Sequence, residues 1–105
     1  SPDVVRDFLY VKDVVKGALL ILEKGESMRP YNLGYGSTVT IGDIVDTILE
    51  VTGRSPEVTW DNSKPTTIPF RSCSTKRIQE ELGFKPEYTF HDGIKETVDW
   101  YLNEK

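Results

Sequence analysis

At 105 residues, 37% hydrophobic and 29% charged, the chain has the size and polarity of one soluble domain with one modest core. Its net charge of -4 argues against nucleic acid or a membrane surface as a partner, since both favour a basic face. Cys73 is the only cysteine, which excludes an internal disulfide and a cysteine-rich metal site and fits a reducing, cytoplasmic setting. No apolar run approaches the roughly 20 residues of a bilayer span.

The chain opens at Ser1-Pro2 without methionine, which raises the expectation of a processed or cut polypeptide. Asp7 to Val11, DFLYV, is apolar and aromatic enough to predict a strand. Asp13 is then the expected cap of a helix that stops at Gly25, with Val14, Val15, Ala18, Leu19 and Leu22 on one face. YNLG, with Asn32 and Leu33, predicts a second short strand. Beyond the turn GYGS, Thr40 and Asp43 have the spacing of a capping box, with Asp where Glu is usual. Ile41, Ile44, Val45, Ile48 and Leu49 continue that helix at helical spacing up to Gly53.

EVTW, Glu57 to Trp60, alternates like a strand, and Phe70 to Cys73 is a further short strand candidate. A helix is expected from about Ser74 to Leu82, closed by Gly83. A last one is capped by Thr89 and turns Ile94, Val98 and Tyr101 inward. The order β-α-β-α-β-(β)-α-α is α/β. Strands this short suit a piece of a larger sheet, because parallel sheets are buried on both faces and usually larger. The whole chain, 1–105, reads as a single unit.

The candidate chemistry centres on residues 63–72, SKPTTIPFRS. Lys64 and Arg71 flank two prolines and two threonines, with no carboxylate in the stretch. Pro65 and Pro69 stiffen the backbone. Thr66 and Thr67 offer hydroxyl donors, and the planar fork of Arg71 suits phosphate oxygens. The pattern fits a phosphate or diphosphate clamp and also fits two solvated cations on an ordinary loop. Arg6 is either a third cation of such a clamp or a surface partner of a carboxylate such as Asp7.

Several other patterns are weaker. NLGYGSTV has Gly34 and Gly36 but Val39 where a dinucleotide fingerprint needs its third glycine, which favours a tight turn. Asp61 after EVTW only imitates a ribose-binding acid. Tyr101 and Lys105 share the Tyr-x-x-x-Lys spacing, but at a chain end where helices fray. His91 reads as a surface residue, Cys73 as a small core residue, and Trp60 and Trp100 as core packing. The residues suggest a binding site and no catalytic constellation.

Three stretches together resemble the NAD-dependent epimerase/dehydratase family of extended short-chain dehydrogenases. They are the R-D-F-x-Y-V-x-D opening (Arg6 to Asp13), Y-N-L-G with T-I-x-D-I after it, and the K-P-x-x-x-P loop (Lys64 to Pro69). The resemblance covers nearly the whole chain and is strongest to GDP-L-fucose synthase-like members and sugar-nucleotide epimerases. It implies the C-terminal substrate-binding portion of a Rossmann-type enzyme, with short strands and about four helices and without the main dinucleotide-binding sheet. It implies that Arg6, Lys64 and Arg71 meet the diphosphate of a nucleotide sugar, with Thr66 and Thr67 lining the pocket.

Thr66-Thr67 replaces the Asp-Gly usual in fucose synthases, which sets the chain apart from them. The family's glycine-rich loop and its catalytic Ser/Thr, Tyr and Lys belong to a different, N-terminal part. The resemblance therefore implies no cofactor in this chain, NAD or NADP in the parent enzyme, and no activity alone. A non-enzymatic nucleotide-sugar binding or oligomerisation module is the alternative. The partners it implies are the nucleotide sugar and the N-terminal half, with self-association possible through uncovered apolar faces.

Overall fold

The computed structural model describes residues 1–61, 63 and 68–104. Four helices carry the fold: α1 (Val11–Lys24), α2 (Ile41–Thr52), α3 (Lys76–Leu82) and α4 (Phe90–Asn103). Among the described residues the only sheet is a two-residue antiparallel pair, β1 (Val5–Arg6) with β2 (Val39–Thr40), in which Val5 faces Thr40 and Arg6 faces Val39. A single parallel bridge joins Val5 to Phe70.

The local signals for the helices are realised closely. Thr40 accepts from the Asp43 amide at 3.0 Å while the Asp43 carboxylate accepts from the Thr40 amide at 2.9 Å, a complete capping box. The next two amides of α2, Ile41 and Gly42, donate to the carbonyls of Val4 and Pro2, both at 2.9 Å. Groups that helix starts leave unsatisfied thus tie down the N-terminal segment. Thr89 caps α4 through the Asp92 amide. Gly53 and Gly83 end α2 and α3 in the left-handed conformation, where glycine carries no Cβ penalty.

The strands depart from expectation. Phe8 to Tyr10 is irregular and α1 begins at Val11, so the Asp7–Val11 strand does not form. Asn32 and Leu33 lie in irregular chain, as do Glu57 to Trp60, and Phe70 contributes only its bridge. An apolar run becomes a strand only when another strand pairs with it, and the described chain offers no such partner at these positions.

Asp13 is not the cap of α1. That position is Tyr10, which makes no side-chain capping bond. Asp13 instead lies in the first turn, 1% exposed, and accepts from the backbone amides of Glu87 at 2.9 Å and Tyr88 at 3.1 Å. Tyr10 stacks obliquely on Tyr88, with ring centroids 4.6 Å apart. A Cβ on Gly93 would lie 3.0 Å from the Tyr10 Cβ, so glycine there lets α4 approach the start of α1.

The hydrophobic core is thin. Ile78 and Phe84 are its buried apolar side chains among the described residues. The radius of gyration is 16.1 Å, against about 13 Å for a compact domain of this length, and the molecule is a slab 49 × 34 × 19 Å. α1 turns Asp13 and Gly17 inward, Gly17 meeting Leu33 and Phe84. Its apolar stripe points out: Val14, Val15, Leu19 and Leu22 are exposed, Leu22 by 80%. Trp100 and Tyr101 on α4 are exposed too, which corrects their assignment to the interior; Ile94 and Val98 do turn inward. Cys73 is exposed, not core, and Trp60 is half-buried.

Asp13→Asn leaves one acceptor for two buried amides and is expected to cost about 1–3 kcal/mol in urea unfolding; an unchanged midpoint would contradict the role given to Asp13. On the surface, Arg29 donates to both carboxylate oxygens of Glu81, at 2.8 and 2.5 Å. This bond first, with the Arg29 charge adding to it, holds the Glu81 pKa below its ordinary 4.5. A depressed carboxylate pKa contributes stability above the ordinary value and loses it as pH falls through the folded one. Glu81→Gln should therefore flatten the acid limb of stability below about pH 4.5 and leave the slope between there and neutral pH unchanged, read by thermal melts; an unaltered acid limb would exclude this pair as a contributor.

Candidate anion-binding site

Arg6 and Arg71 are brought together by backbone pairing. The Val5 amide donates to the Pro69 carbonyl at 2.9 Å, and the Arg71 amide donates to the Val5 carbonyl at 3.1 Å. That is the hydrogen-bond pattern of a parallel bridge centred on Val5 and Phe70. Arg6 and Arg71 are the residues that follow the bridged pair on the two segments. The Arg6 guanidinium donates to the carbonyls of Val5 and Ile68, both at 2.7 Å, so it lies over the segment that leads into Arg71. Arg6 is half-buried and Arg71 exposed. Lys64, Thr66 and Thr67 lie outside the described residues.

The Asp7 carboxylate is taken up by backbone amides. Its two oxygens accept from consecutive backbone amides, Tyr35 at 2.7 Å and Gly36 at 3.0 Å. Consecutive amides of this kind form a small anion-binding concavity. Gly36 has φ 95°, a left-handed value that glycine adopts without strain. Gly34 is buried against the same carboxylate, and a Cβ there would come within 2.9 Å of Asp7 Oδ2. The glycine-rich turn that imitates a dinucleotide loop is thus filled by a carboxylate of the protein itself.

The other motif residues fall apart from this cluster. Asp61 accepts from the amide and hydroxyl of Ser63, and the hydroxyl bond, followed by the amide, holds its pKa below the ordinary 3.8. His91 is exposed, with Nε2 3.7 Å from Glu50 Oε1 across the α2–α4 contact. Lys105, the partner of Tyr101 in the Tyr-x-x-x-Lys spacing, lies outside the described residues. Among the described residues no group of three His, Cys, Asp or Glu side chains could hold a metal ion. Among the described residues no helix is long and apolar enough to cross a membrane.

An apolar cavity of about 260 Å³ opens between the 8–10 segment, α2 and α4, lined by Phe8, Tyr10, Tyr35, Ile48, Tyr88 and Ile94 among others. Neither Arg6 nor Arg71 lines it. The cavity can accept apolar side chains or rings and offers no charge to an anion, so it is distinct from the cationic cluster. Charge and local pattern single out Arg6 and Arg71 but give no sign of the parts played by Asp7 and Asp13. Both stand in the R-D-F-x-Y-V-x-D opening, yet their partners lie 28 to 75 residues further on, beyond any local pattern.

The chain is similar to known proteins over nearly its whole length. The sequence profile of the GDP-mannose 4,6 dehydratase family matches residues 2–97. A probable GDP-L-fucose synthase of Oryza sativa subsp. japonica is 33% identical over 98 residues, covering 93% of this chain and 30% of that protein. A dTDP-glucose 4,6-dehydratase of Salmonella typhimurium is 32% identical over 108 residues, covering 95% and 30%. The UDP-glucose 4-epimerase of Thermotoga maritima, solved with UDP-glucose, superposes with a TM-score of 0.90 at 28% identity, over 99% of this chain and 33% of that one. RMD from Pseudomonas aeruginosa, solved with NADPH, also gives 0.90, at 25% identity over 100% and 34%. The chain therefore spans about a third of the length of the relatives it matches, and its fold is that part of a Rossmann-type extended short-chain dehydrogenase. It belongs to the GDP-mannose 4,6-dehydratase family.

Proposed function

We propose that this chain is the C-terminal substrate-binding part of an NAD(P)-dependent sugar-nucleotide epimerase, dehydratase or reductase, and that it is inactive alone. Arg6, Lys64 and Arg71 neutralise the diphosphate of the nucleotide sugar, and Thr66 and Thr67 add hydrogen bonds to it. The observation that carries this reading is the parallel bridge at Val5 and Phe70, which Arg6 and Arg71 directly follow, Arg71 at the end of the 64–71 loop. Relatives described as acting on GDP-, dTDP- and UDP-sugars support the same substrate class.

Charge-assisted bonds to the diphosphate contribute about 1.5–3 kcal/mol each before desolvation. Their effect is to fix the sugar for chemistry performed by residues elsewhere in the longer enzyme. The nicotinamide cofactor, NAD or NADP, binds that other part and supplies hydride transfer. The exposed stripe on α1 is an apolar face that the remainder of the longer protein covers; in the isolated chain it favours self-association. The setting is cytoplasmic.

Arg71→Ala in the longer enzyme is expected to raise KM for the nucleotide sugar about tenfold or more, since each 1.4 kcal/mol of binding is a factor of ten. Steady-state kinetics with KM and kcat both unchanged would remove Arg71 from the site. A second reading, a self-sufficient non-enzymatic binding or oligomerisation module, is separated by calorimetry on the 105-residue chain. Binding of UDP- and GDP-sugars no tighter than about millimolar is expected of a partial pocket, where base and sugar lack most of their walls. Micromolar binding would favour the module.

A further inference from the structure

We propose that Asp7 is a positioning residue for Arg6, an inference that rests on the reading of Arg6 as a diphosphate contact. The strand that carries Arg6 is two residues long, so pairing alone gives it little rigidity. Successive side chains anchor it to different segments. Arg6 reaches the Ile68 carbonyl at 2.7 Å, while Asp7 holds the Tyr35 and Gly36 amides at 2.7 and 3.0 Å. With both neighbours fixed, the backbone between them cannot rotate without breaking one set of bonds. The guanidinium then keeps its direction across the loop that leads to Arg71.

The second part of the device is electrostatic. A carboxylate adjacent in sequence to Arg6 would compete with an anionic ligand for the guanidinium if it were free to turn. Two amide donors occupy it, as consecutive backbone N–H groups do for bound anions. The buried Gly34 leaves no slack around it, because even a methyl there would press on Asp7 Oδ2. Asp7 thereby keeps its own charge off the cation it orients.

The test is kinetic, in the longer enzyme that contains this chain. Asp7→Asn, which loses one of the two amide acceptors, should raise KM for the nucleotide sugar about tenfold, with the KM for the nicotinamide cofactor unchanged. Asp7→Glu, whose longer carboxylate does not fit the turn and is left beside Arg6, should raise it further. Gly36→Ala strains the amide side of the same contact and should act like Asp7→Asn, should the Asp7 variants fold poorly. Asp13→Asn, which breaks the other carboxylate–amide contact, should lower stability and leave both KM values in place. Equal rises in both KM values, a rise with Asp13→Asn as large as with Asp7→Asn, or no rise in any Asp7 or Gly36 variant would overturn the proposal. Arg6→Ala with an unaltered KM would instead remove the reading of Arg6 itself, and the positioning role with it.

Discussion

Two carboxylates fasten distant irregular segments to the β1–α1 connection. Asp13 in the first turn of α1 takes the amides of Glu87 and Tyr88, and Asp7 takes those of Tyr35 and Gly36. Ionised acceptors make shorter and stronger hydrogen bonds than neutral ones, and backbone amides of irregular segments have few other partners. With only Ile78 and Phe84 as buried apolar side chains among the described residues, such bonds matter more here than in a domain with a full core. They hold the 34–37 turn and the approach to α4 against the two ends of the β1–α1 connection. Everything proposed for the site depends on that connection staying in place.

The legible part of the fold was the local part. Thr40 with Asp43, Thr89 with Asp92, and the stops at Gly25, Gly53 and Gly83 are each decided within a few residues, and all appear where their sequence signals lie. Strands were misjudged because Asp7–Val11 and Glu57–Trp60 have strand-like composition but need pairing partners that the described chain does not supply. The helical periodicity of α1 was also correct, yet its apolar face points outward. A hydrophobic stripe identifies a buried side only if something in the same chain covers it. The same assumption puts Tyr101 inward, whereas the structure exposes it.

The site was legible to a different depth. Arg6 and Arg71 could be suspected from charge in an acidic chain, but their adjacency is set by the Val5–Phe70 bridge, which no spacing announces. Local pattern offers Asp13 as a helix cap and Asp7 only as one possible ion-pair partner of Arg6. Their true partners are amides, which carry no residue identity, so a sequence pattern has nothing to match. The glycines of the 34–37 turn carried a real signal that was easy to mistake. They do build an anion-binding turn, and the anion is a side chain of the protein.

Hydrogen exchange of four amides tests most directly whether these carboxylates hold the structure together. In the unaltered protein, Tyr35, Gly36, Glu87 and Tyr88 should exchange slowly although they lie outside helices and strands. Asp7→Asn should release the first pair and Asp13→Asn the second, each leaving the other pair protected. Exchange at unstructured-chain rates in the unaltered protein, or protection that survives both substitutions, would contradict the account.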